Sequence, residues 1–167
     1  MTFEEATAQM PVEAYRPHLE RSRLTSITLD RIKSELNREL LSQAKLIEPK
    51  VSRECRIFGV GTTTPEFCLD YRLVAFINRR SVFRLNATYR VQIATEEPAS
   101  EEFLTIYGRA TGDMQVWPYV RHLVDSVTGS MGIPRITLPL LINSGVLDRP
   151  SRGGRSNSAS QSADHLR

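Results

Sequence analysis

The side chains in this sequence best suited to acid–base, nucleophilic or metal chemistry are His18, His122 and His165, with Cys55 and Cys68. His165 falls in a Ser- and Arg-rich tail, and His18 sits between Pro17 and a charged run. His122 lies on a predicted helix, on the face opposite its apolar stripe, and a lone imidazole with no partner does no acid–base work. Asp125, Ser126 and Ser130 share that helix, but proximity in sequence does not assemble a proton relay. The two cysteines have no Cys-x-x-Cys spacing, so neither a metal site nor a disulfide framework is expected. If their strands pair, the thiols could lie near each other, yet they read as small buried hydrophobes. Gly59 and Gly61 fall inside a predicted strand rather than at a strand-to-helix turn, so no phosphate loop is formed. Asn86-Ala87-Thr88 matches a glycosylation acceptor by chance in a chain read as cytosolic. No enzyme constellation emerges and no cofactor is implied.

The chain is 167 residues long, with 40% hydrophobic and 25% charged residues and a formal net charge of +3. That is one domain of ordinary globular composition. No run approaches the roughly 18 apolar residues of a membrane span, so membrane insertion is not expected. The first residues are acidic and lack a basic stretch followed by an apolar one, so the expectation is a cytosolic protein without a signal peptide. Basic residues are dispersed, which argues against nucleic acid. Arg79, Arg80, Arg84 and Arg90 could make a basic stripe on a sheet, but the aromatics of the same strand fall on its other face, where they cannot stack on bases.

Three elements have clear strand character. In residues 67–77, Phe67, Leu69, Tyr71, Leu73, Ala75 and Ile77 alternate onto one face. In residues 82–95, Phe83, Leu85, Ala87, Tyr89, Val91 and Ile93 do the same, opposite Arg84, Asn86, Thr88, Arg90 and Gln92. A further strand is expected over 55–61, opened by Pro49 and Ser52, and a hairpin connection over 78–81. Residues 24–35 favour a first strand, although Leu29 and Ile32 are out of phase, which suggests a bulge. Over 31–46 a helix remains open as the alternative, because Ile32, Leu36 and Leu40 are spaced by four. Ser100 before Glu101 and Glu102 starts a helix that breaks at Gly112-Asp113.

Residues 116–142 read as a helix, a stop and an apolar tail. Trp117, Val120, Val124, Val127 and Met131 share one face, Pro118 is assigned to the first turn, and Gly129, Gly132 and Pro134 end the helix. Residues 1–20 read as a weakly ordered lead-in, with a short helix possible before Pro11 and nothing regular across Pro17. Residues 21–147 form the domain, and residues 148–167 a disordered Ser/Gly/Arg tail. Strands followed by helices give an α+β fold, a four-stranded antiparallel sheet with two helices packed on one face. Apolar residues in connecting segments complete the core or form a binding surface.

Trp117-Pro118-Tyr119-Val120-Arg121, followed by Val127, Gly132, Pro134 and Thr137-Leu138, resembles the C-terminal signature of the SecB family of export chaperones. The order of strands and then a short helix also looks like SecB. The resemblance spans residues 24–142 and is specific only in its last third. It implies an ATP-independent holdase, without catalysis or cofactor, that binds unfolded polypeptides (a preprotein or an antitoxin-type client) in apolar grooves. It also implies a homotetramer built as a dimer of dimers. By position, residues 38–53 look like the family's crossover loop. Leu40, Leu41, Leu46, Ile47 and Val51, with Trp117 and Tyr119 of the last helix, are then the client-binding candidates. Packing on the sheet is the alternative for the loop residues. Tyr89, Val91, Phe103 and Ile106 are the oligomer-interface candidates. The basic balance departs from the acidic export chaperones and sets this chain against SecA docking, as like charges would repel that motor's basic tail. A SecB-like chaperone dedicated to another client, such as a relative serving a toxin–antitoxin pair, is the alternative to an export role. A non-catalytic binding module on the same fold is the competing reading, with an RNA-binding sheet behind it.

Overall fold

The computed structural model describes residues 1–41, 48–134 and 136–139. The elements in chain order are α1 (Phe3–Gln9), α2 (Val12–Glu20), β1 (Ser22–Leu36), α3 (Arg38–Leu41), β2 (Glu48–Phe58), β3 (Glu66–Ile77), β4 (Arg80–Thr95), α4 (Glu101–Arg109) and α5 (Thr111–Ser130). The four strands form one antiparallel sheet in the order β1-β4-β3-β2. The expected α+β class and four-stranded sheet are therefore observed. Strand alternation explains the core. All six inward residues of β3 and all six of β4 are buried, none more than 4% exposed.

β1 resolves the phase problem seen in the sequence. Its register against β4 shifts between Leu24 and Ser26 and again between Leu29 and Arg31, so Thr25 and Asp30 have no direct partner. Each bulge restores the apolar residues to the inner face. Leu24, Ile27, Leu29, Ile32 and Leu36 stand opposite Ile93, Val91, Tyr89, Ala87 and Phe83. The strand runs to Leu36, which excludes the alternative helix across Ile32 and Leu36, and helix begins only at Arg38.

β2 starts at Glu48 and ends at Phe58, seven residues earlier and three earlier than expected. Gly59 and Gly61 therefore lie outside the strand, at φ 73° and 76°, in the left-handed region open to glycine. Their loop is tied to the far end of the sheet by backbone bonds from Gly61 N to Ala99 O and from Thr95 N to Thr63 O, both 2.9 Å. The β3–β4 connection is a tight two-residue turn at Asn78-Arg79, with φ 49° and 65°.

α4 is capped by Ser100, whose Oγ accepts from Phe103 N at 3.3 Å. It is the central helix, buried from Phe103 to Gly108. Space is tightest at Gly108, where an added Cβ would meet Cys55 Sγ at 2.7 Å and the Phe67 ring at 3.1 Å. α5 begins at Thr111, so Gly112 and Asp113 open the helix instead of breaking the chain. Pro118 is consequently inside α5 and not in its first turn. The Met114 carbonyl that it deprives of a donor sits on an exposed stretch, within reach of water. α5 ends in a Schellman motif, with Gly132 at φ 68°, Gly132 N bonded to Gly129 O and Ile133 N to Thr128 O.

Residues 1–20 form two helices, a correction to the weakly ordered lead-in. α1 has a Thr2–Glu5 capping box, which the sequence reading passed over. α2 runs through Pro17 because its partners on α4 outweigh the lost backbone bond: Tyr15 and His18 lie 5.6 and 5.7 Å from the Phe103 ring. The layers are thus sheet, then α4 and α5, then the N-terminal helices over α4. No helix among the described residues is long and apolar enough to cross a membrane.

Candidate functional site

The two faces of the sheet give different chemistry. On the inner face, α4 and α5 cover β3 and β4, but β1 is an edge that they do not reach. Leu24, Leu29 and Ile32 remain 37%, 40% and 44% exposed, although their register puts them on the core side. Ile27 and Leu36 are half-buried against the core, and Leu40 of α3 continues that row at its end. The result is an apolar strip along a 15-residue edge strand.

The predicted site residues are placed unevenly. Leu40 is half-buried and packs on the core. Val51 belongs to β2 and not to a loop; it faces inward opposite Leu73 and also packs on the core. Leu46 and Ile47 lie outside the described residues, as does the Leu41 side chain. Trp117 is buried, its indole N–H donating to Pro139 O at 2.9 Å, whereas Tyr119 is 53% exposed. Tyr89, Val91, Phe103 and Ile106 are all buried within the single chain.

The apolar exit from α5 folds back along that helix. Ile133, Ile136 and Leu138 are buried, and Arg121 Nε donates to Leu138 O at 3.2 Å. Trp117 and Arg121 of the signature string, four apart on one face of α5, therefore pin the exit segment. Leu140, Leu141 and Ile142 lie outside the described residues.

One polar cluster escaped the sequence reading. Arg53 points inward from β2 and pairs with Asp113 in the first turn of α5, both side chains 6% exposed. The Tyr71 hydroxyl donates to the other Asp113 oxygen at 2.6 Å, and Arg53 Nη1 donates to Arg109 O at 3.2 Å. A carboxylate suits a helix N-terminus, and burial among these groups pushes the Tyr71 phenol well above its usual range. The cluster locks the α4–α5 junction onto the sheet. Arg53 offered a clue in sequence, as a charge in phase with Val51, Cys55 and Ile57.

The thiols face opposite sides of the sheet. Cys55 points inward beside Gly108 and burial pushes it up to about 11, while Cys68 is buried on the outer side. The two residues are diagonal neighbours across β2 and β3, but on opposite faces their thiols do not meet. His122 is exposed and His18 stacks near Phe103. Among the described residues, no group of three His, Cys, Asp or Glu side chains is placed to hold a metal. What the arrangement offers is surface complementarity, with an apolar strip inside and a charged face outside.

No family model matches the chain. Two curated relatives from Mycobacterium tuberculosis, the SecB-like chaperones Rv1957 of strain H37Rv and MT2006 of strain CDC 1551, are each 38% identical over 53 residues. That stretch is 32% of this chain and spans only 29% of the length of either relative. Among solved structures, the M. tuberculosis SecB-like chaperone Rv1957, in complex with a ChAD peptide from the HigA1 antitoxin, superposes with a TM-score of 0.66 at 20% identity. The superposition covers 83% of this chain and 98% of that one. The chain has the fold of the SecB-like chaperones and resembles them in sequence over those 53 residues.

Proposed function

We propose that this protein is an ATP-independent holdase, which binds unfolded or aggregation-prone polypeptides without catalysis or a cofactor, and that an antitoxin-type protein is its client. The observation that carries this reading is the uncovered apolar row on β1. A monomer that buries twelve consecutive alternating residues on β3 and β4 yet leaves Leu24, Leu29 and Ile32 open has a surface suited to apolar peptide. The fold shared with a chaperone solved with an antitoxin peptide supports the same reading. In this proposal the client lies along β1 and reaches Leu36 and Leu40; Tyr119 is accessible from α5, while Trp117 supports that helix from within. The protein works in the cytoplasm. SecA docking and general protein export are not part of the proposal, given the cations Lys33, Arg72 and Arg84 on the outer face of the sheet.

A second use of β1 is favoured by its length. A 15-residue edge strand with one row of unpaired backbone groups is a template for pairing with a second copy, toward a homotetramer built as a dimer of dimers. Aggregation suppression separates the two uses. Micromolar protein should keep a reduced, unfolded client in solution, and Leu29→Ser with Ile32→Ser should abolish this while circular dichroism stays native. If the variant still protects the client and only its mass in solution falls, β1 serves assembly and the client binds elsewhere.

A further inference from the structure

The outer face of the sheet is divided by charge, and the holdase reading makes no use of it. From Arg72 toward the β3–β4 turn, four cations project outward, Lys33 on β1, Arg84 on β4, Arg72 on β3 and Lys50 on β2, and Arg31 on β1 stands one step beyond, level with Thr88 and Asp70. Glu35 among them is paired with Lys33 at 2.8 Å and Arg84 at 4.0 Å, and Glu48 holds the register position opposite Phe76 on the same face. Arg31 and Arg72 are exposed and have no acidic partner among the described residues. Lys50 lies over the ring of half-buried Phe76, 5.6 Å from its centroid, and Val74 is half-buried beside Arg84. The other end of the same face is balanced. Asp30, Glu54, Glu66 and Asp70 there stand against Arg23, Arg31, Arg56 and Arg90, and the last two are engaged: Arg90 with Asp30 and Glu66 at 2.8 and 3.0 Å, Arg56 with Asp70 at 2.8 Å.

We propose that the basic half of this outer face is a docking site for a short acidic polypeptide segment of a partner protein, separate from the apolar strip on β1. Charge complementarity selects the occupant. Cations two residues apart along a strand are about 7 Å apart, the spacing of alternate side chains on an extended peptide. Val74 and Phe76 give such a peptide an apolar footing between the charges. Nucleic acid fits less well: its backbone would run from the basic half onto Asp70, Glu66 and Asp30, and the aromatic ring on the basic half, Phe76, is half-buried with Lys50 over its face. A sequence-wide count of +3 conceals that the excess positive charge of this face lies in its half toward the β3–β4 turn.

The test uses the full chain and a fluorescein-labelled peptide of eight glutamates, which has no apolar side chain to enter the β1 strip. Wild-type protein should bind it, with affinity falling as salt rises. Arg72→Gln with Lys50→Gln should weaken binding about tenfold, and Arg56→Gln, on the mixed half, should leave it unchanged. Suppression of client aggregation should be the same in all three proteins. Absence of binding by the wild type, equal binding by the Arg72/Lys50 variant, or a joint loss of peptide binding and aggregation suppression would each overturn the proposal. So would an oligothymidylate that binds as tightly as the peptide and is lost in the same variant, since the site would then belong to nucleic acid. Circular dichroism of each variant ensures that a lost signal is not lost fold.

Discussion

At the scale of single residues, the Arg53–Asp113–Tyr71 cluster is the most consequential group that the sequence did not announce. A buried ion pair adds little net stability when it is intact, because desolvation offsets attraction, but removing one partner strands a charge. Asp113→Ala should therefore destabilise the protein by about 3–5 kcal/mol in urea unfolding. Arg53→Met with Asp113→Leu should recover most of that loss. Equal destabilisation by the single and the double change would mean that the helix-terminal carboxylate, and not the charge balance, supports the α4–α5 junction. Neither residue shows the pairing in the sequence, since only the packing of α5 on β2 and β3 brings them together.

At the scale of elements, α4 approaches the sheet more closely than its sequence suggests. Glycine in a helix usually costs about 1 kcal/mol relative to alanine. Gly108 is kept at a point where Cys55 Sγ and the Phe67 ring leave no room for a methyl group. Gly108→Ala should lower stability by about 1–3 kcal/mol despite the gain in helix propensity, because it overpacks the α4–sheet contact. Cys55→Ala in the same protein should restore part of the loss. A more stable Gly108→Ala variant would show that the contact relaxes at no cost. α5 teaches a related lesson. Its start was read five residues late because Gly112-Asp113 and Pro118 look like helix breakers locally, yet Asp113 is anchored to Arg53 and Tyr71, and Pro118 lies on the exposed side.

At the scale of the whole molecule, the N-terminal helices form a third layer over α4. Tyr15 and His18 pack around Phe103, the Tyr15 hydroxyl and Thr111 Oγ1 are hydrogen-bonded at 2.9 Å, and the N-terminal amine meets Glu101 at 3.2 Å. Removing residues 1–20 should lower stability by about 2–4 kcal/mol, read from urea unfolding, because Phe103 and the outer side of α4 would face water. An unchanged unfolding midpoint would show that these helices do not contribute to the core. The same layering leaves Leu24, Leu29 and Ile32 on the inner side of β1 uncovered, which is why the proposed binding strip is found there and not on β4.

The sequence by itself determined the succession of four strands followed by helices, the inward faces of β3 and β4, the cap at Ser100 and the resemblance carried by Trp117-Pro118-Tyr119-Val120-Arg121. Each of these is written in neighbouring residues, as a period of two, a local hydrogen bond or a contiguous string. It also signalled the irregularity of β1 through Leu29 and Ile32, though not that two bulges would turn those residues inward. Tertiary structure alone decided which inward residues stay open. Burial depends on what lies above a residue, and the reach of α4 and α5 over the sheet is set by contacts such as Gly108 with Cys55 and Asp113 with Arg53. Those partners are about 50 to 60 residues apart in the chain, beyond the range of any local pattern.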